Sequence, residues 1–165
     1  MLEIERKYVI KKPNTDALTA ADSYTVSDIL QIYLEGSDGV TRRIRRRIYG
    51  DRTVYTETEK LRIDKMSVIE RERDISEGEF SLLCENVKNG TRPINKRRHT
   101  FVYKGEIFEI DEYPEWERTA ILETELDSRD KEIEFPPFIE TVREVTGDFN
   151  FSNAGMAREF PKEII

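Results

Sequence analysis

Residues 1–10 read MLEIERKYVI. In a strand, successive side chains point to opposite faces, so residues two apart share one. Leu2 and Ile4 then fall on one side, with Glu3, Glu5 and Lys7 on the other. The apolar side asks for a packing partner. The other side sets two carboxylates and an ammonium in a row, facing either solvent or something inside the protein.

The same alternation recurs along the chain. Odd positions of 41–47 give Thr41, Arg43, Arg45 and Arg47, and even positions of 68–74 give Val68, Glu70, Glu72 and Asp74. Lys96, Arg98 and Thr100 share a face. So do Glu109 and Asp111, with Phe108 and Ile110 opposite. Glu123 and Glu125 alternate with Leu122, Thr124 and Leu126, and Lys60 lies on a face with Thr56 and Thr58. Such alternation is also what a sheet with one wet face shows. Two features speak for an inward face instead. Like charges two apart repel, and sheet stability does not ask for them. The signs also segregate, into acidic strands and basic strands.

If the sheet closes into a barrel, these faces line its lumen. Charges there are costly unless paired or coordinated. The set holds eight acids, Glu3, Glu5, Glu70, Glu72, Glu109, Asp111, Glu123 and Glu125, against six bases, Lys7, Arg43, Arg45, Lys60, Lys96 and Arg98. Divalent cations would offset that deficit. The natural guest is a metal-bound polyanion.

Composition narrows the chemistry. At 165 residues the chain reads as a single domain spanning 1–165. Lys and Arg number 27 against 34 Asp and Glu, a net charge of −7, which argues against a nucleic-acid partner. The Arg42–Arg47 run, RRIRRR, is divided by strand alternation and lacks interleaved aromatics, so it does not alter that expectation. No apolar run approaches the roughly 20 residues of a membrane helix, and no membrane partner is expected. The N-terminus lacks the basic-then-apolar order of a signal peptide, and with one cysteine the expected location is cytoplasmic. His99 and Cys84 are the sole His and Cys, so a zinc site built from several such ligands is excluded. Any metal chemistry here is carboxylate chemistry, suited to Mg²⁺ or Mn²⁺.

Strand-like runs fall at roughly 2–10, 28–36, 40–50, 53–63, 66–75, 95–104, 106–113 and 119–128, the pattern of an antiparallel barrel or sandwich. A helix is expected from Ser76, which has capping-box spacing to Glu79, through Phe80, Leu83, Cys84 and Val87 to a stop at Asn89-Gly90. Cys84 reads as a small core residue on it. A second helix is expected from Pro136-Pro137 to Val145, with short ones after Pro13 and Ser152. His99 is expected to be exposed and incidental.

Taken in order, these motifs resemble the CYTH superfamily, the triphosphate tunnel metalloenzymes. Glu3-Ile4-Glu5-Arg6-Lys7 matches the hallmark Glu-x-Glu-x-Lys. Gln31-Ile32-Tyr33-Leu34, Arg43-Ile44-Arg45, Thr58-Glu59-Lys60, Glu70-Arg71-Glu72 and Lys96-Arg97-Arg98 follow where that family has similar strands. Phe108 to Tyr113, Leu122 to Leu126, Glu144-Val145-Thr146 and Ser152-Asn153-Ala154 complete the resemblance. Two departures stand out, Val68 where many members carry Arg and Leu61 where Gly is common. They imply a phosphate contact that is missing, or replaced by Arg62 or Arg71.

The resemblance implies an α+β, mainly β fold: a closed eight-stranded antiparallel tunnel with a few flanking helices. It implies metal-dependent hydrolysis of an inorganic or organic triphosphate, with Glu3, Glu5, Glu72 and Glu123 as catalytic candidates. Glu3, Glu5, Asp111, Glu123 and Glu125 become candidate ligands for Mg²⁺ or Mn²⁺, with two ions during turnover. Lys7, Arg43, Arg45, Lys60, Lys96 and Arg98 would cradle the phosphates, Arg bidentately and Lys as a point charge. A related adenylyl cyclase, a thiamine triphosphatase and a non-catalytic polyphosphate-binding module are the alternatives. On assembly the sequence is silent, with a homodimer the state to test for.

Overall fold

Eight antiparallel strands close on themselves in a computed structural model that describes residues 1–164. They are β1 (Leu2–Lys11), β2 (Asp22–Leu34), β3 (Val40–Tyr49), β4 (Arg52–Arg62), β5 (Ser67–Asp74), β6 (Ile94–Tyr103), β7 (Glu106–Glu112) and β8 (Thr119–Glu125). Their spatial order is β5-β4-β3-β2-β6-β7-β8-β1, and β1 returns to pair with β5. All eight expected strands are present; β2 starts earlier than its apolar run suggests.

The closing seam is short. β1 meets β5 at Leu2, Glu3 and Ile4, opposite Ile69, Val68 and Ser67. Past that point β5 has turned away into the β4–β5 hairpin, and the edge of β1 needs another partner. It finds one in β9 (Thr141–Glu144), paired at Tyr8, Val9 and Ile10. This corrects the helix expected over 136–145. Phe138 and Ile139 pack against the outer wall, Ile139 N–H turns back to the Pro136 carbonyl, and β-branched Thr141 and Val142 then extend along β1. The open edge of β1 outweighs the helix-starting prolines.

The other helices form where expected. Asn14 caps α1 (Thr15–Thr19), Ser76 caps α2 (Glu77–Leu83) and Ser152 caps α3 (Asn153–Arg158). Ser76 Oγ accepts from Glu79 N–H at 3.0 Å, but the Glu79 carboxylate takes Arg73 at 2.7 Å, so only half of the capping box forms. Among the described residues no helix is long and apolar enough to cross a membrane.

The apolar residues of the strands pack outside the barrel as well as at one end within it. Phe80 of α2 packs on Ile32, Leu34 and Ile44, outside β2 and β3. Burying such a side chain stabilises by about 1.5–3 kcal/mol. Cys84 packs at the edge of this cluster, where burial raises its thiol pKa. On the far wall, Tyr8, Ile10, Phe101, Phe108, Ile110 and Leu122 are covered by Leu18 of α1 and by Phe135, Phe138 and Ile139. Inside, where β1 ends, Val9, Ile94 and Ile121 meet Trp116, Phe151, Met156 and Ala157 of the C-terminal segment. With both flanks accounted for, the middle of the lumen is left to the charges.

Candidate active site

Strand alternation carries Glu3, Glu5 and Lys7 into a cavity with about 260 Å³ of free space. Glu123, Glu125, Arg43, Arg45, Lys60 and Arg98 line it with them, as do Glu70 and Glu109. The registers explain the gathering: Glu5 lies opposite Glu125, Lys7 opposite Glu123, Glu123 opposite Glu109, and Lys60 opposite Glu70.

Three predicted residues lie elsewhere. Glu72 is exposed and accepts from Thr58 Oγ1 at 2.9 Å. It has the inward parity, but β1 begins opposite Ile69, so β5 runs on past the start of β1 and Glu72 meets solvent. Lys96 and Asp111 are buried behind the cavity surface. Asp111 accepts from Arg98 Nε at 2.7 Å and Nη2 at 2.9 Å, and lies 2.8 Å from Lys96 Nζ. Both its oxygens are engaged, so Asp111 orients bases. Despite its burial, the Arg98 and Lys96 cations hold the Asp111 carboxyl far below its ordinary value, while burial pulls Lys96 down.

His99 is buried, contrary to expectation. Its Nδ1 is 2.7 Å from Tyr24 Oη and its Nε2 pairs with Glu112, all on the outer side of β6 away from the cavity.

Further residues line the cavity, of which Arg62 was raised from the sequence as a phosphate contact. Arg62, Lys65 and Asp148 reach the cavity from the β4–β5 hairpin and the segment after β9, and Thr146, Ser152 and Asn153 border it. The lining acids are then Glu3, Glu5, Glu70, Glu109, Glu123, Glu125 and Asp148, against Lys7, Arg43, Arg45, Lys60, Arg62, Lys65 and Arg98. Seven meet seven, in place of the expected acid excess. The signs nonetheless remain segregated.

On the acidic side, Glu3 neighbours Glu70, and Glu5 neighbours Glu123. Burial, reinforced by those neighbours, pushes Glu3 up to about 7 and Glu5 up to about 8. Crowded carboxylates of this kind are relieved by a neighbouring cation. On the basic side, Lys7 is 3.5 Å from Glu123 and Lys60 is 3.4 Å from Glu70. Of the four lining guanidiniums only Arg98 donates to carboxylates, those of Asp111 and Glu109. Arg45 instead donates to Gln31 Oε1 at 2.9 Å, and Gln31 donates on to Tyr33 Oη at 2.7 Å. Burial beside Arg43 and Arg98 lowers the Arg45 pKa. Buried Arg43 Nε has no hydrogen-bond partner among the described residues. Such guanidiniums call for an anion.

The donor set facing them is carboxylate oxygen throughout, which suits a hard divalent cation. Among the described residues no three such groups already form an ion cage. Glu70 and Glu123 each lie near a lysine, whereas Glu3 and Glu125 form no ion pair among the described residues.

A closed antiparallel barrel with acidic and basic side chains facing one another inside it defines a class, the barrels with a charged lumen. No family model and no curated protein matches the sequence. Solved structures do. The chain is similar to the inorganic triphosphatase NE1496, with a TM-score of 0.62 and 25% identity over 96% of each chain. It shares its fold with PH1012 of Pyrococcus horikoshii OT3, at a TM-score of 0.56 and 19% identity over 76% of this chain and 80% of that one. The same holds for a candidate adenylate cyclase of Bacillus halodurans, bh2851, at a TM-score of 0.51 and 17% identity over 78% and 82%. The fold and the order of the inward motifs match what the resemblance to the CYTH superfamily implies.

Proposed function

We propose that this chain hydrolyses a triphosphate, inorganic or at the end of an organic group, within the charged cavity. One observation carries the reading: Arg43 and Arg45 are buried without a hydrogen-bonded carboxylate partner, in the same cavity as a cluster of glutamates. The similarity to an inorganic triphosphatase along nearly the whole chain supports it. Arg43, Arg45 and Arg98 would hold phosphate oxygens through charge-assisted hydrogen bonds, with Lys7 and Lys60 as point charges beside them. Lys96 and Asp111 would act by fixing Arg98, whose guanidinium is held by two bonds to Asp111.

Glu3, Glu5 and Glu125 would hold a Mg²⁺ or Mn²⁺ ion, and Glu123 would complete the acidic side. Bound there, the ion would supply neutralisation of the phosphate charge. Hydrolysis breaks one P–O–P bond with water as nucleophile, so the work of the chain is positioning and charge stabilisation. The test is phosphate release from tripolyphosphate and from ATP, with Mg²⁺, with Mn²⁺ and with chelator, alongside a cyclic-AMP measurement. Metal-dependent phosphate release is the expected result. Cyclic AMP with pyrophosphate would replace hydrolysis by cyclisation, and binding without either product would leave a polyphosphate-binding module.

A further inference from the structure

The β4 residues that face inward, Thr56, Thr58 and Lys60, continue by parity to Arg62 at the strand's end. Each has a β5 partner: Thr58 meets Glu72 and Lys60 meets Glu70, but Arg62 meets Val68. Val68 is a buried apolar residue on the wall, and its other neighbour across the seam is Glu3. Arg62 therefore stands at the rim of the cavity with no acid directly across from it.

Its guanidinium is divided in function. Nη1 donates to the Asp64 and Lys65 carbonyls, at 3.1 Å each, and so ties the side chain to its own hairpin. Nη2 faces the cavity, where Glu5 Oε1 is 3.8 Å away, too far for a hydrogen bond. The hairpin itself is braced. Asp64 accepts from the Met66 and Ser67 N–H groups, and Arg129 reaches it at 2.6 Å. On the other side Gly147, at φ +73°, lets the segment after β9 pack so close that a Cβ there would lie 2.3 Å from Lys65 Cγ.

We propose that Arg62 is a substrate-binding residue that grips the outermost phosphate of a triphosphate at the cavity rim, releasing its loose contact with Glu5 as it does so. The geometry favours this. A phosphate presents charged oxygens within reach of a guanidinium edge that has no acceptor, and the hairpin has already fixed the side chain's direction, which lowers the entropic cost of the contact. Because the side chain is half-exposed, it acts on the phosphate nearest solvent and not on the reacting centre deeper in. Arg71, the other candidate from sequence, is exposed, does not line the cavity and lies opposite Glu59 on the outer face.

The inference rests on the triphosphatase reading, and the experiment separates the two. Steady-state hydrolysis of tripolyphosphate with Mg²⁺ is measured for the wild type, Arg62→Ala, Arg62→Lys, Arg71→Ala and Arg43→Ala, with calorimetric titration of tripolyphosphate into each protein. Arg62→Ala should raise KM and Kd roughly 10- to 100-fold while leaving kcat largely intact. Arg62→Lys should fall between, and Arg71→Ala should match the wild type. If Arg62→Ala matches the wild type while Arg43→Ala is impaired, the Arg62 assignment is overturned and the triphosphatase reading stands. If the wild type neither binds nor cleaves tripolyphosphate, that reading falls and the Arg62 assignment with it.

Discussion

Arg43 and Arg45 differ from the other four inward bases expected to cradle phosphate in what they touch. Lys7, Lys60, Lys96 and Arg98 each lie near a carboxylate of the barrel, whereas Arg45 rests on Gln31 and Arg43 on none. Arg43→Ala should therefore leave folding intact and weaken triphosphate binding by about 1.5–3 kcal/mol, roughly 10- to 150-fold, read from Kd by calorimetry. Asp111 is the opposite case. Removing its charge strands Lys96, whose side chain is 0% exposed, and Arg98 beside it. Asp111→Asn should cost about 3–5 kcal/mol in a denaturant titration, the usual result of leaving one partner of a buried ion pair alone. Sequence could not separate these two kinds of charge. Parity places Lys96, Arg98, Arg43 and Arg45 on the same inner face, but which of them finds an acid depends on register across β6, β7 and β2. The Gln31 side chain that supports Arg45 carries no charge and so gave no signal in the alternation.

Most of the strands were legible because like-charged residues recur two apart along them, and β2 was legible from its apolar run. The segment 136–145 was not. Its prolines suit a helix start, and only the geometry of the seam, where β5 covers β1 no further than Ile4, shows that an open edge waits for β9. The outer side of the β3–β4–β5 wall has its own clasp: Glu57 accepts from Arg42 at 2.9 Å and from Arg73 at 2.8 Å. Burial raises the Glu57 pKa, but the two arginines outweigh it and hold the carboxyl below its ordinary value of 4.5. A depressed carboxyl contributes stability above its unfolded value and loses it as pH falls through the folded one. Glu57→Gln should thus cost about 1 kcal/mol near neutrality, because Arg73 is exposed and screened. In melts at decreasing pH, its difference from the wild type should shrink once pH drops below 4.5. At the C-terminal plug, a Cβ on Gly155 would lie 1.9 Å from the Phe149 carbonyl oxygen. Gly155→Ala should therefore loosen α3 and cost about 1–3 kcal/mol, measurable as a lowered melting temperature.

At the scale of the molecule, the sheet is turned inside out relative to an ordinary sandwich. Much of its apolar surface packs outward under α1, α2 and the 133–139 segment, and its charges face in. That inversion was visible in the sequence as segregated like-charged pairs, which no wet face needs. The axial position of each pair was not visible. Glu72 has the right parity and the wrong height, while Lys65 and Asp148 come from segments with no periodicity to read. Arg62 did carry a signal, since it shares parity with Lys60. The central claim is that the inward carboxylates are there for a guest. The most direct measurement is metal-dependent phosphate release from tripolyphosphate by the wild type, by Glu3→Gln/Glu5→Gln, and by Glu59→Gln, which changes an exposed acid on the outer face of β4. The account predicts that the double variant keeps its melting temperature and loses turnover by roughly 100-fold or more, while Glu59→Gln matches the wild type. Turnover in the double variant equal to that of the wild type would contradict it.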